Sequence, residues 1–289
     1  EASMISDKKS PSSSFARFGD GDLLSDLLKY DKRGKFLFLG DPCQLPPINQ
    51  ASSPALSGKH MVEKHNKFGK EFELTQIMRQ DENNGILKSA GMIRKYYEIM
   101  PNTKWPKIPL KNKENISIVQ SQAGLIINYV NTIKKKGKEY ATFLCQTNKQ
   151  CRDINNIIRT MLFADTISLN IGELLLVTQN CQLVDLVNGD LVEIEKIGKE
   201  EYRCGLNFIN VQVIELASKK SYTLLLIKDI LTSSTTNISD KQHKDLMIDY
   251  YLRMKKKGIH HKDKKFKDLM KSDAYLNAIR AVYGYSLTC

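Results

Sequence analysis

The sequence predicts an α/β protein with a small antiparallel β module in its second half, and three features predict it. Residues 35–39, Lys-Phe-Leu-Phe-Leu, are apolar on both faces, as in a strand buried within a parallel sheet. Stretches with apolar residues at helical spacing alternate with such runs as far as Thr178, the pattern of βαβ units. From Asp190 the texture changes to short alternating runs separated by Gly198, Gly205 and Lys219-Lys220, which predicts antiparallel strands.

Taken in order, Leu23 to Tyr30 is amphipathic and predicts a helix, followed by the strand at 35–39 and, after the loop at 81–85, a helix from Ile86 to Ile99. Pro101, Pro106 and Pro109, with Asn102 among lysines, mark a linker. Beyond it the spacing predicts a strand at Ile116 to Val119, a helix from Ala123 to Lys136, a strand from Tyr140 to Cys145, a helix from Lys149 to Phe163 and a buried strand from Glu173 to Thr178. Leu191 to Glu195, Phe208 to Leu216 and Ser221 to Ile227 supply the strands of the antiparallel module. Ser239 to Lys257 and Lys264 to Arg280 have helical spacing, with cationic clusters at Lys255 to Lys257 and Lys262 to Lys267 between them. The expected division is an α/β domain at 1–105, a second at 106–189, an inserted β module with a helical extension at 190–275, and a return to the second domain at 276–289.

At 289 residues, with 41% hydrophobic and 26% charged residues, the chain is long enough for about two domains and too apolar for wholesale disorder. Its longest apolar runs are far shorter than the roughly 18 residues of a membrane span, so no membrane partner is expected. Lysine and arginine number 44 against 32 aspartate and glutamate, a net charge of +12 that suits a polyanionic partner. The six cysteines contain no C-x-x-C pair, a usage expected of reduced thiols and a cytoplasmic location. His260-His261 has no Cys or second His at ligand spacing, so no metal held by side chains alone is expected. No secretory signal opens the chain; it begins abruptly at Glu1-Ala-Ser-Met and ends abruptly at Cys289, as if cut from something longer.

The most specific stretch is Phe38-Leu-Gly-Asp-Pro-Cys-Gln-Leu-Pro-Pro-Ile48. Gly40 permits a sharp turn at the C-terminal end of an apolar strand, where open α/β sheets place ligands. Asp41 and Gln44 are then expected to project into the crevice, with Pro46 and Pro47 stiffening the loop. The bland reading of the same residues is a proline-rich structural turn.

These residues resemble the third motif of superfamily 1 DNA helicases of the RecD-like branch, Gly-Asp-x-x-Gln-Leu-Pro-Pro, through Gly40, Asp41, Gln44, Leu45, Pro46 and Pro47. About thirty residues on, Leu74-Thr75 with Arg79-Gln80 is similar to the fourth motif. Glu1-Ala-Ser-Met4 resembles the end of the second motif, whose metal-binding aspartate would precede it. Thr147-Asn148-Lys149 with Asn155 and Arg159 resembles the opening of the second motor domain, Asn188-Gly-Asp190 its strand-end turn, and Tyr283 to Thr288 the run into the fifth motif. The family usually places glycine two residues after that aspartate, where this chain has Val192.

The resemblance implies two RecA-like parallel-sheet motor domains, the first incomplete, with an SH3-like antiparallel insertion, and ATP-driven translocation on single-stranded DNA in the 5′-to-3′ sense. It implies that Glu1 orients water on a γ-phosphate, that Gln44 senses that phosphate, and that Arg79 clamps phosphate oxygens, chemistry suited to these residue types. Gly40, Asp41 and Gln80 complete the implied nucleotide-side set, with ATP and Mg2+ as cofactors. Thr147, Asn148 and Lys149, and more weakly His60 and Lys59, are the candidate nucleic-acid contacts, and Phe208 and Tyr222 the candidate stacking aromatics of the inserted module. No G-x-x-x-x-G-K-[ST] loop occurs anywhere in the sequence, so these 289 residues alone are expected to hydrolyse ATP negligibly. Two rivals are an ATP-independent single-strand-binding relic of the same fold and a non-helicase α/β interaction domain.

Overall fold

The computed structural model describes residues 2–9, 21–31, 33–76, 84–99, 107–108, 110 and 113–288, and its chain divides into two compact units, Glu1–Ile118 and Val119–Cys289.

In the first unit, α1 (Leu23–Tyr30) starts where the Asp22 carboxylate accepts the Ser25 N–H, a side-chain cap that satisfies one orphan donor of the first turn. It buries Leu24 and Leu28 against Ala2 and Ala55, with Ile5, Phe38, Leu56 and Met61 packed around them. Helix α2 (Gly58–His65) is capped by Ser57 and stopped by Asn66 in the left-handed conformation, which asparagine tolerates. Helix α3 spans Gly85–Ile99, close to expectation.

Two strands expected here do not form. Residues 35–39 run extended without a ladder, and Leu37 and Leu39 are 82% and 67% exposed. A strand needs a partner for its alternate N–H and C=O groups; the backbone bond that this run receives from elsewhere is Ala2 N–H to the Leu39 carbonyl at 2.8 Å. Residues 116–119 likewise form no strand, and Ile118 and Val119 are exposed. The linker expected at 101–109 falls largely outside the described residues.

The second unit carries two sheets. Strand β1 (Phe143–Cys145) pairs in parallel with the last strand, β7 (Ser286–Thr288), and helices α4 (Gln122–Lys136) and α5 (Asn148–Leu162) flank β1 in sequence. The other sheet is antiparallel throughout, ordered β5-β4-β3-β2-β6, from β2 (Leu174–Val177), β3 (Leu191–Arg203), β4 (Leu206–Glu215), β5 (Ser221–Ile227) and β6 (Ala281–Tyr283). The central meander is the expected antiparallel module. Strand β2, expected to extend the α/β unit, instead pairs antiparallel with β3 and β6; its apolar run fits the interior of either kind of sheet, so composition did not discriminate. Gly198, expected as a separator, lies inside β3 beside the register shift between Ile197 and Glu200, the interruption that an interior strand glycine often marks.

One core spans both sheets of this unit. It takes Ile126, Val130 and Ile133 from α4, Ile154 and Ile158 from α5, and Val192, Ile194, Val211 and Val213 from the meander. Short α6 (Lys228–Thr232) leads to α7 (Asp240–Lys256), opened by a Ser239/Gln242 capping box, and then to α8 (Lys264–Lys271). The helix expected to continue to Arg280 stops at Lys271 because Asn277 turns its amide onto the carbonyls of Met270, Lys271 and Asp273. The fold is therefore mixed α/β with a parallel pair and an antiparallel five-stranded sheet.

Candidate functional site

In the first unit the candidate site is the turn at Gly40. The Ala2–Met4 segment, a single 3-10 turn, lies against it. A Cβ placed on Gly40 would come 2.9 Å from the Ser3 amide nitrogen and 2.9 Å from Leu56 Cδ1, closer than side-chain carbons sit, so the approach admits glycine alone. Asp41 then folds its own loop: Oδ1 accepts the Cys43 N–H at 2.9 Å, and its carbonyl accepts the Gln44 N–H at 3.0 Å, an Asx turn. The other oxygen, Oδ2, accepts from Arg94 Nη2 at 2.7 Å.

Beyond Asp41 the Gln44 side chain is exposed while Pro47 is buried. The Gln50 N–H bonds the Pro47 carbonyl at 3.0 Å, Gln50 Nε2 donates to Ser6 Oγ at 2.7 Å, and Lys8 Nζ donates to the Asn49 carbonyl at 2.9 Å. The loop is thus pinned to residues 2–8 at both ends, leaving Gln44 presented between. Glu1, Arg79 and Gln80 lie outside the described residues.

His60 does not stand free as a nucleic-acid contact. Its Nε2 bonds Asp7 Oδ2, which also receives Lys64 Nζ at 2.8 Å and His65 Nε2 at 3.0 Å. Burial pushes the Asp7 carboxyl up, but these three hydrogen bonds outweigh it and hold the group well below the usual carboxylate range. Lys59 is exposed and approaches Glu63 across one turn of α2 at 3.9 Å, a surface pair of little energetic weight.

In the second unit Thr147, Asn148 and Lys149 come together at the C-terminal end of β1 and the N-terminus of α5. Thr147 Oγ1 accepts the Gln150 N–H at 3.2 Å, capping the helix, and Asn148 Oδ1 accepts from Thr288 Oγ1 at 3.1 Å. All three residues are exposed. The end of a parallel strand leading into a helix N-terminus offers N–H groups and a favourable dipole to phosphate.

Asn155 and Arg159 are structural here. Asn155 Nδ2 donates to the Tyr283 carbonyl at 2.7 Å, and its Oδ1 accepts the Ser286 N–H at 2.7 Å, so one side chain bridges α5 to β6 and β7. Arg159 is 3% exposed; it grips Glu173 Oε1 through Nε at 2.9 Å and Nη2 at 2.8 Å, donates to the carbonyls of Thr166 and Ser168, and lies 3.9 Å over the Tyr283 ring. Phe208 is buried against Tyr275 in an edge-to-face contact, so it is module core and not a stacking platform; Tyr222 is partly buried against the main core. Asn188-Gly-Asp190 is a turn as expected, with Gly189 at φ 102° and Asp190 Oδ2 accepting the Val187 N–H at 2.7 Å.

Sequence reasoning missed Arg94, Asp7 and His65. Asp7 is more than fifty residues from its histidines, and no local spacing joins them. Compared with known proteins, the sequence matches no protein-family model and no curated protein. Among the described residues no helix is long and apolar enough to cross a membrane.

Proposed function

We propose that this chain forms the part of a superfamily 1, RecD-like helicase motor that couples a nucleotide-sensing loop to a grip on single-stranded DNA. The observation that supports this best is the packing of Ala2–Met4 against Gly40: two segments that resemble different helicase motifs, 36 residues apart in sequence, touch at a spot where only glycine fits. The Asp41 turn and the pinned prolines then present the Gln44 amide to solvent on a braced loop, the arrangement wanted of a group that reports a change in phosphate charge.

The residues present do not by themselves hold ATP phosphates or magnesium. No phosphate-cradling loop occurs in the sequence, and the carboxylate of the turn is committed to Arg94 and to its own backbone. This chain's own contributions are the sensing side chain Gln44 and the DNA-facing Thr147, Asn148 and Lys149.

Two assays test the reading together. Fluorescence anisotropy with an oligothymidylate is expected to show saturable binding by the 289-residue chain, weakening steeply with salt. In the product of the whole gene, single-stranded DNA is expected to stimulate ATP turnover, and Gln44→Ala to lower that stimulation while leaving DNA affinity in place. Binding without any nucleotide response would favour the ATP-independent relic, and absence of binding at moderate salt would favour the interaction domain.

A further inference from the structure

We propose that Asp7, His60 and His65 form a binding site for one divalent metal ion of the zinc class, independent of the helicase reading. The Asp7 side chain is 1% exposed, and among the described residues a carboxylate oxygen of Asp7 and one ring nitrogen from each imidazole lie within 4.8 Å of one another. The donor set, two imidazoles and a carboxylate, is one that zinc accepts while keeping a position open for water.

A second observation points to a missing ligand. Asp7 Oδ2 takes all three partners, whereas Oδ1 is buried with no hydrogen-bond partner. A buried carboxylate oxygen without a partner is costly, and a dication shared by the carboxylate relieves that cost. Both imidazoles already converge on the carboxylate, 6.0 Å apart between ring centroids, so small side-chain shifts suffice to bring three donors to bonding distance.

Lys64 is the built-in competitor. Its ammonium lies 2.8 Å from Asp7 Oδ2 and donates to the Asp7 carbonyl at 2.9 Å, with Asp22 Oδ2 at 3.9 Å, yet the side chain is 46% exposed, so it can keep the carbonyl and Asp22 contacts while giving up the carboxylate. In the absence of an ion it supplies the positive charge; with one bound, like-charge repulsion expels it. The ion would fasten residues 2–9 to α2 and thereby brace the segment that packs on Gly40.

The test uses the whole chain after removal of metal by a chelator, with Co2+ followed by visible absorption and Zn2+ by calorimetry. One ion per chain is expected, with d–d bands of an N/O-ligated site and a raised melting temperature, since an ion that binds only the folded state stabilises it. His60→Ala and His65→Ala should each weaken binding by about tenfold or more, Lys64→Met should tighten it, and His260→Ala/His261→Ala should leave it unchanged. Far-UV circular dichroism checks folding; should His65→Ala unfold the chain, His60→Ala carries the test, its side chain being 35% exposed. Saturable single-ion binding that survives His60→Ala, no saturable binding at all, or a loss of affinity in Lys64→Met would each overturn the proposal.

Discussion

Two residues show how far a single position constrains this chain. At Gly40 the limit is space, because one of the two atoms a Cβ would meet at 2.9 Å is the Ser3 backbone nitrogen, which cannot rotate away as the other, Leu56 Cδ1, can. Gly40→Ala should destabilise the first unit by about 1–3 kcal/mol, read as an earlier urea midpoint with far-UV detection. At Arg159 the limit is charge: both partners of the pair are buried, Glu173 at 0% exposure. Removing one partner of such a pair strands the other, so Arg159→Met should cost about 3–5 kcal/mol in urea unfolding. That result would separate a structural arginine from a phosphate contact, since DNA affinity measured on the folded variant should be unchanged.

Elements combine residues into separable roles, and α5 is the clearest case. Thr147 caps the helix while Lys149, two positions on, is exposed with no cap to make. Thr147→Ala should therefore lower stability by about 1 kcal/mol, seen in thermal unfolding. Lys149→Ala should leave the melting temperature alone, weaken single-strand binding, and reduce the salt slope by about 0.7. The joint between α7 and α8 behaves differently with pH. Burial pushes the Asp273 carboxyl up, but hydrogen bonds from Arg253 and the Leu276 N–H outweigh it and hold the group below its ordinary 3.8. A carboxyl lowered on folding contributes stability above its unfolded value, and that contribution is lost as pH falls through the folded one. Thermal melts should therefore drop below about pH 4 in the native chain, and Asp273→Asn should be less stable at neutral pH with a shallower acid drop.

At the scale of the whole molecule the two units are built to unlike standards. Among the described residues the first has a small apolar cluster and an apolar run that pairs with no strand, whereas the second has a five-stranded sheet and a large continuous core. Local stability follows buried contacts and laddered hydrogen bonds. Hydrogen exchange on the intact chain should find the slowest amides in β3, β4 and β5 and fast exchange at 35–45; equal protection of the two regions would contradict this account. The net charge of +12 belongs to this scale too, because it sets long-range attraction to a polyanion without specifying the residues that touch it.

By itself the sequence determined the helices α1, α3, α4, α5 and α7 closely, because apolar spacing and capping residues such as Asp22, Ser121, Thr147 and Ser239 are local signals. It also determined the antiparallel meander and the turns at Gly40 and Gly189, where chain geometry is written in single residues. Only the tertiary structure decided which strands have partners: among the described residues the run at 35–39 joins no ladder, and β2 joins the antiparallel sheet. The same apolar side chains suit either outcome, and the choice rests on backbone groups far away in sequence. For that reason also the Asp7, His60 and His65 cluster was invisible beforehand, since it exists only where α2 packs beside residues 2–9.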